Sequence, residues 1–158
     1  MNIKTYLKLF FITLILVLLQ TGFITPLFEI RSPALIFLFP LALLSLKKTK
    51  GAYFSAFIGG LLFDFMGTGL LGKTSLIILA LLVLVYYIKK YFFDNFFLYL
   101  LAIMIYSLVR FLVSEGTLSL DPLVTFLNFS IYALFNFLLR KFDFSGMENE
   151  PRSLKEGY

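Results

Sequence analysis

Apolar residues in this chain come in long blocks separated by short charged punctuation. The first block, about Tyr6 to Ile24, follows Lys4 and Lys8. It starts like a secretory signal peptide. Its apolar run is too long for that role and no small-x-small cleavage pattern follows, so it reads as an uncleaved first span. Thr13 and Gln20 share one face of it, expected to turn toward other helices. The second block opens at Ser32-Pro33, a capping hydroxyl followed by proline at the first helical position, and runs to Leu46. As a helix, Pro33 to Lys48 covers roughly 24 Å, short for a span unless the lysines snorkel. Pro40 is expected to kink it. A re-entrant segment is the other reading of this stretch.

The third block, Gly51 to Ser75, organises the rest. Ala52, Ala56, Gly60 and Asp64 recur every fourth residue, and Gly51, Ser55 and Gly59 run beside them. At helical spacing both lines fall on one side, with Phe54, Ile58, Leu61 and Phe65 opposite. Small residues let helix backbones approach closely in lipid, so this is a transmembrane helix with a small-residue packing face that also carries Asp64. The fourth block, about Thr74 to Ile88, ends at Lys89-Lys90 among Tyr86, Tyr87 and Tyr91, as an interfacial aromatic belt does. The fifth, about Phe96 to Val113, aligns Tyr99, Tyr106 and Arg110 close to one face. The sixth runs from Asp121-Pro122 to Arg140-Lys141. Along it Thr125, Asn128, Tyr132 and Asn136 form a polar stripe expected to meet other helices. The pattern therefore predicts an all-α polytopic membrane bundle of about six transmembrane helices. Residues 1–141 form its single domain, and 142–158 form a short polar cytoplasmic tail expected to be disordered.

Composition agrees: 60% of residues are hydrophobic and mean hydropathy is +0.94, above the balance of an ordinary soluble domain. The chain has no Cys and no His, which excludes disulfides, thiolate chemistry and imidazole-based catalysis or metal binding. The net charge of +5 points to topology rather than nucleic acid, because the basic residues sit at block ends. With the N-terminus inside and six spans, 11 of the 14 Lys and Arg residues fall on the inner side and only Arg31, Lys73 and Arg110 outside. That asymmetry favours cytoplasmic N- and C-termini.

Two features invite chemistry. Gly67 to Thr74 satisfies the phosphate-loop pattern G-x-x-x-x-G-K-[ST]. That motif needs a preceding strand and a magnesium carboxylate, and here a membrane helix precedes it, so it reads as a glycine-rich turn. Asp64 and Arg110 climb to similar depth on helices that run in the same direction, and pairing them removes two isolated charges from lipid. The alternative is that each is solvated at the interface. No catalytic constellation and no cofactor site emerges.

The run Gly59-Gly60-Leu61-Leu62-Phe63-Asp64, followed by Leu71-Gly72 and Ser75-Leu76, resembles the signature of the MreD rod-shape-determining family. Length, span layout, an early Leu18-Leu19-Gln20 and the short tail are similar as well. The resemblance implies a non-enzymatic scaffold of the cell-wall elongation machinery in the bacterial cytoplasmic membrane. It implies partnership with the bitopic protein MreC and, around it, MreB, RodA and a class B penicillin-binding transpeptidase. The interface is expected on the small-residue face or on the polar stripe. The layout is also similar to the substrate-binding S components of energy-coupling-factor vitamin transporters, the alternative reading. Reporter fusions after Lys50, Lys90 and Tyr158 are expected to report cytoplasm; a periplasmic signal at Tyr158 removes the six-span arrangement.

Overall fold

The computed structural model describes residues 3–28, 34–67, 70–91, 96–115 and 122–141. The expected tail and the Ser32-Pro33 helix start lie outside them. The described residues form an all-α bundle. α1 (Ile3–Leu19) runs through a π-helical turn (Gln20–Ile24) into α2 (Thr25–Phe28). α3 (Leu35–Ser45), α4 (Thr49–Met66), α5 (Lys73–Tyr91), α6 (Phe96–Glu115) and α7 (Pro122–Lys141) follow.

The bundle is built around α3. Its sequence LIFLFPLALLS is apolar on every side, and a helix of that kind belongs in an interior. Every residue from Leu35 to Leu44 is buried. α3 packs against α1, α4, α5, α6 and α7, and the order of contacts among those five follows α1, α4, α5, α6, α7. Phe37 stacks on Tyr106 at 4.2 Å, and Phe39 meets Phe135 edge-on at 5.8 Å.

At 11 residues α3 is about 16 Å long, roughly half the hydrocarbon thickness of a bilayer. The second block is thus shorter than its sequence predicted, and its N-cap is Ala34, with no side-chain cap of its own. Among the described residues, three helical stretches can cross a membrane by length and composition: Ile3–Leu27, Lys73–Tyr91 and Pro122–Lys141. α4 is long enough but its small and charged residues dilute its apolarity. The outer surface of the bundle carries Leu7, Ile15, Phe23, Leu76, Phe126 and Phe137, all more than half exposed. Large outward apolar side chains around a buried core are what membrane embedding requires.

The C-terminus of α3 explains the tight basic turn. Lys48 N–H donates to Leu43 O at 3.0 Å and Lys47 N–H to Leu44 O at 3.1 Å. Lys47 adopts φ +62° between them, the left-handed closure that ends a helix, here without glycine. Lys89 Nζ, from the end of α5, donates to Leu44 O at 2.9 Å and lies 5.9 Å from the Tyr99 ring centre. Ser45 Oγ sits 2.7 Å from Asn136 Oδ1 of α7. Tyr6 against Phe54 (4.8 Å) and Tyr53 against Tyr86 (6.4 Å) bring the starts of α1 and α4 to the same end. The basic residues of the α3–α4 turn and of the ends of α5 and α7 therefore gather at one pole.

Lys89→Gln keeps a polar head but falls short of Leu44 O and carries no charge. It is expected to lower thermal stability in detergent by about 1–3 kcal/mol; an unchanged melting temperature refutes the cap.

Candidate functional site

The segment that stood out in the sequence folds into the α4–α5 hairpin. The buried residues of α4 are Gly51, Ala52, Ser55, Ala56, Gly59, Gly60 and Asp64, the two small-residue lines together. Gly60 is where the hairpin closes. A Cβ built there lies 2.6 Å from Ser75 N and 2.7 Å from Ser75 Cβ, so only hydrogen fits against that backbone. Ser75 Oγ donates back to Phe57 O at 3.2 Å, tying the helices where they are closest. One residue earlier, Gly59 faces the other way. A Cβ on it meets Thr13 Cγ2 at 3.0 Å and Ile36 Cγ2 at 3.1 Å, so neighbouring glycines serve different partners, α1 and α3 against α5.

Asp64 completes the hairpin. Its side chain is 6% exposed, and Oδ2 accepts the Thr74 N–H at 3.0 Å. Thr74 is in the first turn of α5, whose leading N–H groups have no partner within the helix. A carboxylate there satisfies one donor and sits at the positive end of the helix dipole. The connecting loop turns at Gly72, whose φ of +89° favours glycine, and Leu76 N–H then bonds Gly72 O at 2.9 Å to start the helix.

A second polar centre lies at the start of α3. Leu35 N–H donates to Gln20 Oε1 at 2.8 Å, and Ala34 N–H to Asn128 Oδ1 at 3.0 Å. Asn128 Nδ2 reaches Ser107 Oγ at 3.3 Å, and Ser107 Oγ donates to Ile103 O at 2.9 Å. Gln20, Ser107 and Asn128 are all buried. Neutral amides from α1 and α7 thus cap a helix whose own sequence supplies no cap. The rest of the α7 stripe follows the same line. Tyr132 is buried and stacks on Tyr99 at 6.0 Å, Asn136 joins Ser45, and Thr125 is half-buried.

Comparison with protein-family models, curated proteins and solved structures gives no match.

Both faces expected to receive a partner are spent inside the chain. The small-residue face is covered by α1, α3 and α5, and the stripe by α3 and α6. In this structure their chemistry is helix packing and capping. The Asp64–Arg110 pair cannot be placed, because the Arg110 side chain lies outside the described residues; the observed partner of Asp64 is the α5 backbone. In the phosphate-loop match a helix, α4, precedes the loop, and the N–H of Thr74 is already given to Asp64. Among the described residues no group of three or more metal-ligating acidic side chains converges.

Sequence reading missed Ser75, Ser107 and Lys89 as structural partners. Ser75 carried a signal: a small residue after a Gly-rich turn, facing a line of small residues. Lys89 carried none, since a lysine at a helix end reads as an interfacial charge.

Gly60→Ala forces its methyl into the Ser75 backbone, where nothing flexible can yield. It is expected to destabilise by about 1–3 kcal/mol, against the usual helix gain from removing glycine. Asp64→Ala is expected to lose more stability than Asp64→Asn, which keeps an acceptor for Thr74 N–H. Thermal denaturation in detergent ranks the three, and equal effects of the two Asp64 variants refute the cap.

Proposed function

We propose that this protein is a non-enzymatic scaffold of the cell-wall elongation machinery, MreD-like, in the bacterial cytoplasmic membrane, with both termini in the cytoplasm and an MreC-like bitopic protein as its partner. One observation carries the reading. The residues on which the resemblance rests, Gly60, Asp64, Gly72 and Ser75, are those that lock the α4–α5 hairpin through a backbone contact, a helix cap and a positive φ. The polar groups supporting the scaffold reading are consumed in caps: Gln20, Asn128, Asp64 and Lys89 each hold backbone atoms of a neighbouring helix.

Because the small-residue face and the polar stripe are internal, a single-span partner docks on an outward apolar face. α1 and its continuation through the π-helical turn into α2 offer a long one, with Leu7, Phe11, Ile15, Phe23 and Leu27 exposed along it. Close helix contact in lipid rests on van der Waals fit, so a partner there is held by shape rather than by charge.

Depletion in a rod-shaped host is expected to give rounded cells, and the tagged protein in mild detergent is expected to recover an MreC-like protein. Normal rods, with recovery of a transporter ATPase pair, sink the proposal in favour of an S-component role.

A further inference from the structure

Away from the polar interior, the basic pole carries an aromatic and cationic patch that neither the caps nor the scaffold reading uses. It is formed by the start of α4 and the end of α5. Tyr53 meets Tyr86 at 6.4 Å, Tyr86 meets Tyr87 at 6.0 Å, and Tyr87 stacks on Tyr91 at 6.1 Å with 8° between the rings. Lys90 Nζ lies 5.4 Å from the Tyr91 ring centre, and Lys50 is exposed one turn before Tyr53. Tyr87 and Tyr91 are 54% and 67% exposed.

We propose that this patch binds the phosphate-bearing headgroup of an anionic phospholipid. The order of residues along α5 supports the choice. Leu76 and Leu84 face outward, then Tyr87, then Lys90 and Tyr91 side by side at the helix end. From Leu84 to Lys90 the helix rises about 9 Å, the passage from acyl chains to headgroups. Tyrosine rings suit that boundary because one edge is apolar and the hydroxyl is wet. Lys50 and Lys90 then stand at phosphate depth, where ammonium groups pair with headgroup charge. An acidic protein segment offers the same charge, but it meets this surface only past the headgroups and gains nothing from the tyrosine ladder.

The test uses the full-length protein in detergent, with lipid retention read by native mass spectrometry from equal mixtures of phosphatidylglycerol and phosphatidylcholine. The wild type is expected to retain phosphatidylglycerol preferentially. The Lys50→Gln/Lys90→Gln variant is expected to lose that preference by about thirtyfold at most, and Lys50→Arg/Lys90→Arg to keep it. Lys4→Gln/Lys8→Gln removes the same charge from α1 and is expected to leave it intact. Equal retention of the two lipids by the wild type overturns the proposal, as does an equal loss in the Lys4/Lys8 variant, which shows diffuse charge rather than this patch. Displacement of the lipid by millimolar inorganic phosphate assigns the patch to a free anion. Binding of a polyglutamate peptide without lipid preference assigns it to an acidic protein. Both outcomes overturn the lipid assignment.

Discussion

A helix buried along its whole length in a membrane bundle must have its end groups satisfied by its neighbours, and this constraint governs the protein. The first N–H groups and last C=O groups of any helix lack partners within it, and each left unsatisfied in an apolar medium costs several kcal/mol. α3 has an apolar sequence that demands the centre and supplies almost nothing to satisfy its own ends. The neighbours supply it instead: Gln20 and Asn128 at the start, Lys89 and the Lys47–Lys48 closure at the end. Three different elements, the π-helical turn, α5 and α7, are thereby fixed in register against one short rod. In lipid, where apolar contact alone does not distinguish one helix neighbour from another, such bonds select the arrangement.

The close approach of α4 and α5 solves a different problem. Two helices gain little by touching in hydrocarbon unless their backbones come near enough for dense van der Waals contact. Gly59 and Gly60 provide that on two adjacent faces of one helix. α4 can therefore serve as a wall shared by α1, α3 and α5. Its interior face is used up by backbone, leaving little room for bulky side chains.

Much of this was legible in the sequence, for identifiable reasons. The small-residue lines of α4 follow helical spacing strictly, so the face they define is the face that is buried. Thr13, Gln20, Asn128 and Tyr132 were placed inward by the same spacing rule, and all four are buried. Which atoms Gln20 and Asn128 meet was not legible, because each bond joins residues distant in sequence, 15 positions for Gln20 and Leu35 and 94 for Ala34 and Asn128. The length of α3 misled for a related reason. The described part of the helix begins at Leu35, where distant amides hold the backbone, and the Ser32-Pro33 start lies outside the described residues. Small and amide-bearing faces serve helix association in general, and here the chain's own helices fill both. Sequence cannot tell association within a chain from association between chains.

The phosphate-loop pattern at Gly67–Thr74 shows how one physical demand can produce a familiar spacing without the familiar ligand. A glycine-rich turn into a helix exposes N–H groups at the positive end of a dipole, and that geometry attracts an anion. In a nucleotide-binding protein the anion arrives from solution. Here it is covalently part of the chain: Asp64, ten residues before Thr74, folds back across the turn to accept its N–H. A carboxylate supplied by the preceding helix needs no cavity and, being already tethered, loses less freedom on binding than a soluble phosphate. It also fixes the direction in which α5 leaves the loop, since Thr74 must point its amide at α4 while Ser75 lies against Gly60. The cap and the close contact therefore enforce each other. The turn glycine, the glycine of α4 and the aspartate act as one device for folding a hairpin back on itself inside a membrane.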